Sequence, residues 1–275
     1  MNSMRHTCLL RSPRAQTAAL LLSAFAGQAC APSTNAPPPS APQSAQPPLP
    51  QAAAPPPVQT TAYTTMQPLA QYAIPNPVDE VALARSAAPA SISADAEVLV
   101  LGNRGYETAV RGKNGFVCFV ERSWANHIDS DEFWNPRMRA PNCFNPPAVR
   151  TVLPPYLKRT EWVLAGASKQ ELISRTSAAL LRKEFVEPEP GSLSYMMSVQ
   201  GHLNEADGHW HPHVMFFAPR ATAAAAGWGA NLQGSPIIAQ EGDDTDPVTI
   251  FFIPVRKWSD GSPGPGLALT GQRAQ

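Results

Sequence analysis

Prolines decide where this chain can fold. Pro37-Pro38-Pro39 and Pro55-Pro56-Pro57 lie in a stretch, residues 31–65, built mostly from Pro, Ala, Gln, Ser and Thr. Proline fixes φ and has no N–H to give a helix or a ladder, so such a stretch favours polyproline II. It also lacks the apolar side chains that a core needs. The expectation is a disordered tether over residues 30–75, with the fold starting at Asn76. Residues 76–262 then form one domain of roughly 180 residues, enough for a single sizeable core. The Gly- and Pro-rich tail, 263–275, is expected to fray.

Ahead of the tether the chain reads as an export signal, residues 1–29. Arg5, Arg11 and Arg14 make a basic start, and the apolar run 15–26 includes Leu20-Leu21-Leu22 before small residues follow. The run is shorter than the about 20 apolar residues of a membrane span. Two endings stay open. Ala24-Phe25-Ala26 suits ordinary cleavage. Gly27-Gln28-Ala29-Cys30 resembles the end of a bacterial lipoprotein signal, in which Cys30 becomes the lipidated first residue, although Gly27 stands where such signals carry Leu, Val or Ile. The expected location is outside the cytoplasm: periplasmic, anchored to a membrane by lipid, or secreted. A membrane is a partner only through that anchor. With 21 basic against 21 acidic residues there is no electrostatic case for nucleic acid. Nothing in the sequence names a protein partner.

Cysteine usage agrees with export. Cys8 leaves with the signal and Cys30 sits near the mature N-terminus, so Cys118 and Cys143 are the two thiols of the folded part. Outside the cytoplasm such a pair is expected to form a disulfide, worth on the order of 3 kcal/mol.

The folded part alternates its signals in a telling order. Asn76-Pro77 followed by Asp79 and Glu80 starts a helix reaching about Arg85. A meander follows, with strands at 97–101, 106–111 and 116–122 and Asn114-Gly115 as its hairpin turn. The third strand is apolar on both faces and is expected to be central. Residues 123–147 read as an aromatic loop broken by prolines. A helix over 154–165 stops at Gly166, and Ser168 with Glu171 makes the capping box of a second. Strands at 194–200, 209–217 and 248–255 close the domain. Strands, then helices, then strands predict an α+β fold: a mainly antiparallel sheet with a helical pair covering one face.

One site stands out. Gly208-His209-Trp210-His211-Pro212-His213 carries three of the six histidines. In an extended strand alternate residues share a face, so His209, His211 and His213 point the same way, about 7 Å apart for neighbours and about 13 Å for the outer two. His202 lies opposite them if 194–202 pairs with 209–217. Two imidazoles from one strand and one from the next make a three-nitrogen site suited to zinc or copper, with Glu205 or Asp207 as an added ligand. A small ligand at the same hairpin is the other binding reading. The competing view is a structural or interaction module of the cell envelope, its histidines packed by Trp210 and bonded to backbone. A metal-assisted hydrolase is a third reading. The chain has no GxSxG, GxxxxGK[ST], HExxH or CxxC. It also offers no separate base or nucleophile, so an enzyme is not the favoured reading.

Asn114-Gly115-Phe116-Val117-Cys118 with Val120-Glu121-Arg122, then Pro141-Asn142-Cys143, then Pro212-His213-Val214-Met215-Phe216-Phe217-Ala218-Pro219, resemble segments of a group of exported bacterial proteins of unassigned function. The likeness covers about residues 83–219. It implies that the Pro-His step is the shared part of the histidine segment, which singles out His213. It carries no activity.

Overall fold

The computed structural model describes residues 63–203, 211–227, 239–241 and 248–265. The expected signal, Cys30 and most of the tether lie outside them. Eight strands occur among the described residues: β1 Glu97–Leu101, β2 Tyr106–Val110, β3 Val117–Glu121, β4 Ala140–Phe144, β5 Leu193–Met196, β6 His213–Pro219, β7 Ala239–Glu241 and β8 Val248–Pro254. They form one sheet in the order β2-β1-β3-β4-β5-β6-β8-β7. All neighbours are antiparallel except β1 and β3. The helices are α1 Leu69–Tyr72, α2 Pro77–Arg85, α3 Ala90–Ser93, α4 Pro146–Thr151, α5 Leu153–Leu164, α6 Lys169–Leu181 and α7 Arg220–Ala225. The fold is α+β, as the order of sequence signals predicts, and no helix among the described residues is long and apolar enough to cross a membrane.

Local chemistry sets the helix ends. Asn76 accepts from the Val78 N–H and Pro77 takes the first position of α2. Ser168 and Glu171 complete a reciprocal capping box on α6, with the Ser168 N–H donating to Glu171 at 2.8 Å. Gly166, at φ +86°, stops α5 in the left-handed region that a side chain resists.

The register of β3 to β8 divides the sheet cleanly into two faces. Phe119, Phe144, Met215 and Phe217 lie on one, beneath α4 and α5, with Val152, Leu153 and Tyr156 packed on them. Phe144 stacks between Phe119 and Phe217, at 5.8 Å to each ring centre. Cys118, Val120 and Cys143 lie on the other, under Ala84, Ala87 and Ala88 from α2 and its exit. The predicted disulfide is there: Cys118 and Cys143 are bonded, directly opposite across β3 and β4 with Cα atoms 4.0 Å apart. Of the expected helical pair, α5 covers the sheet. The second member, α6, stacks on α5 and sets its Leu172 against the aromatic cluster of Trp124, Phe133 and Trp134.

Three sequence expectations change. Asn114-Gly115 does not turn a hairpin: β2 and β3 are not neighbours, because both pair with β1. The connection instead crosses the end of β1, where the Glu97 N–H donates to the Phe116 carbonyl at 2.8 Å and a Cβ on Gly112 would strike the Glu97 backbone. Asn114 serves that crossing by donating to the Ile92 carbonyl at 2.7 Å. Second, the aromatic loop contains β4, a fully buried strand between β3 and β5. Third, ordered structure starts before Asn76: Tyr72 is fully buried against Trp124, and its hydroxyl donates to the Trp134 carbonyl at 2.9 Å.

Candidate ligand cavity

Glu121 is the only charged residue within β3 itself, and the pleat turns it to the same face as Phe119. Asn142 on β4 shares that face and donates to Glu121 at 2.9 Å. Across the sheet, Met196 on β5 pairs directly with His213 on β6, and Met215 follows two residues along. Ile250 and Phe252 on β8 continue the row. Over this end of the sheet sit Tyr156 of α5 and the turn carrying Asn126 and His127. With Asn142 behind Glu121, the other groups line a partly open cavity of about 210 Å³, and Met138 and Leu203 complete its wall.

His213 is the best-defined polar group of that wall. It is buried, and Nδ1 lies 2.7 Å from the His211 carbonyl. A carbonyl only accepts, so Nδ1 carries the proton and Nε2 presents a lone pair. Burial lowers the imidazole pKa from its ordinary 6.5, more than the His211 carbonyl raises it. The neutral ring with a fixed tautomer is the form in which histidine ligates metals or accepts a hydrogen bond. Phe252 lies beside it, 5.4 Å between ring centres.

The other predicted histidines go elsewhere. His211 is exposed and contributes its carbonyl rather than its ring. The segment 194–202 does not continue as a partner of β6, because β5 ends at Met196. His202 instead bridges Arg139, each backbone N–H donating to the other's carbonyl at 2.8 Å. That register puts His202 out of phase with Met138 and Ala140, and its neighbour Leu203 reaches the cavity. His209, Glu205 and Asp207 lie outside the described residues. Among the described residues no three His, Cys, Asp or Glu side chains converge as a metal set.

Sequence reasoning missed Glu121, Asn142 and His127 as site residues. Glu121 was legible as a carboxylate ending an apolar strand. Asn142 was hidden by the assignment of β4 as loop, and His127 has no pattern around it. A larger hollow of about 600 Å³ lies on the far side of Tyr156, between α6 and β8, lined by Leu180, Phe185 and Val186 with Lys183 as its cation. Its described lining holds no imidazole or thioether, so the smaller cavity is the better candidate for specific chemistry. No protein-family model, curated protein or solved structure matches the chain.

Proposed function

We propose that this chain is an exported bacterial envelope protein, released to the periplasm or held at a membrane through Cys30, that binds a transition-metal ion or a small ligand in the cavity beside His213. One observation carries the binding reading. A buried histidine with its tautomer fixed by the His211 carbonyl lines a partly open cavity together with Glu121 and His127. Zinc and copper both suit imidazole. The bonded Cys118–Cys143 pair supports an oxidising location.

Metal content after purification at neutral pH tests it, in wild type, His213→Ala and His211→Ala. Stoichiometric zinc or copper in wild type and His211→Ala, with loss in His213→Ala, is the expected pattern. An apo wild type that takes up neither ion at micromolar concentration defeats the metal reading. The mass of the mature N-terminus tests export: a chain beginning at residue 1 in the cell contradicts it. A lipid-modified Cys30 selects the anchored form.

The rival view, an interaction module, has its own observation. On the face away from the cavity, Phe216 and Ile253 are 38 % and 46 % exposed on adjacent strands. A protein that binds no ligand but sediments as a dimer, reverting to monomer on Phe216→Ser, supports that view instead.

A further inference from the structure

We propose that the ion this cavity selects is monovalent copper, held by His213 Nε2 and the thioether sulfurs of Met138, Met196 and Met215. The proposal rests on the binding reading above and narrows it to one metal class.

The argument begins with where the methionines are. The chain has seven, of which Met1 and Met4 belong to the expected signal. Three of the other five line this one cavity. Their placement follows from strand register. Met196 is opposite His213 across β5 and β6, and Met215 is two residues from His213 on the same face. Met138 continues the face of Ala140 and Asn142 beyond the start of β4. All three are buried.

Met138, Met196 and Met215 all pack against the apolar core. Met138 also makes a polar contact: Asn126 Nδ2 donates to its sulfur at 3.3 Å, which orients the thioether within a wall that also holds Glu121, His127 and His213. Thioethers are soft donors. They select copper(I) and leave zinc and harder divalent ions to imidazole and oxygen ligands.

The test uses the full chain with Cys8→Ser and Cys30→Ser, so that no free thiol competes and the Cys118–Cys143 bond stays intact. Copper(I) is titrated anaerobically against a chromophoric copper(I) chelator, and zinc(II) against a zinc indicator. Met138→Leu, Met196→Leu and Met215→Leu conserve volume and keep the fold. Met197→Leu, a buried methionine outside the cavity wall, is the control. The expected result is one copper(I) per chain, an affinity loss of at least about tenfold for each of the first three variants, and none for Met197→Leu. His213→Gln loses copper(I) as well. If zinc(II) binds and depends on His213 while copper(I) is indifferent to all three methionines, the copper assignment falls and the binding site stands. If the wild type holds neither ion, both fall.

Discussion

Glu121 and Arg122 are neighbours in sequence, and the strand pleat sends them to opposite sides of the sheet, into opposite kinds of environment. Arg122 is fully buried, and every described contact of its guanidinium is protein. It donates to Glu80 at 2.8 Å, to the Tyr72 carbonyl at 2.8 Å and to the Val120 carbonyl. Glu80 in turn accepts from the Leu101 N–H at 3.1 Å. Glu121 is almost as buried, yet it opens onto the cavity that holds His213. One side of the strand end is a closed lock joining α2, the segment at Tyr72 and β1. The other is a cavity whose largely apolar wall carries Glu121, His127 and His213. The two carboxylates therefore stand in different settings: Glu80 is locked to Arg122 and the Leu101 N–H, while Glu121, held by Asn142, lies in the wall of the cavity.

The sharpest way to break this contrast is Arg122→Ala. It would leave the Glu80 carboxylate buried without its cation, and removal of one partner of such a pair costs about 3–5 kcal/mol. Urea unfolding should show that loss, and a change below about 1 kcal/mol would mean that water reaches Glu80 and the lock is not closed. The disulfide ranks next. Cys118 and Cys143 close a loop with a sequence separation of 25, so the double Cys118→Ala, Cys143→Ala variant should lose about 3 kcal/mol. Because the bond lies under α2 rather than beside the cavity, ligand affinity at His213 should stay within about twofold, the spread expected of distant independent sites. A coupled loss of affinity would show that the two faces are not separate.

How much of this was legible depends on whether the signal was local. Asn76, Ser168 with Glu171, and Gly166 act within one turn of chain, and each does what its sequence context predicts. The disulfide followed from counting thiols in a chain expected to be exported. Failures came where tertiary pairing overrode local chemistry. Asn114-Gly115 is a strong turn signal, but β1 offers edges on both sides and takes β2 and β3 as separate partners. Pro141 lacks an N–H and argued against a central strand, yet β4 is pinned on both sides and by Cys143. Alternation set His209, His211 and His213 on one face, and of the two described only His213 is buried. It misled for His211 and His202, because β6 begins only at His213 and β5 ends at Met196. The methionines gave no pattern by themselves, since strands from distant parts of the sequence bring them together.

The smallest effect concerns His213 and tests the open side alone. Burial holds its imidazole pKa below the ordinary 6.5. Between that value and the lower folded one, the unfolded chain binds a proton that the folded chain does not. Stability from this group is therefore fully present above pH 6.5 and is lost as pH falls through the folded value. The slope from one such group is at most about 1.4 kcal/mol per pH unit. His213→Gln keeps a polar group of similar size and cannot titrate, so its unfolding free energy should fall less than that of wild type between neutral pH and about pH 5. Arg122 and Glu80 remain in both proteins, so whatever acid sensitivity the closed lock contributes cancels in the comparison. Equal slopes in the two proteins would mean that His213 protonates freely where it stands. The cavity would then be wet enough to solvate a cation by itself, and the contrast between the two sides of the strand end would have to be drawn elsewhere.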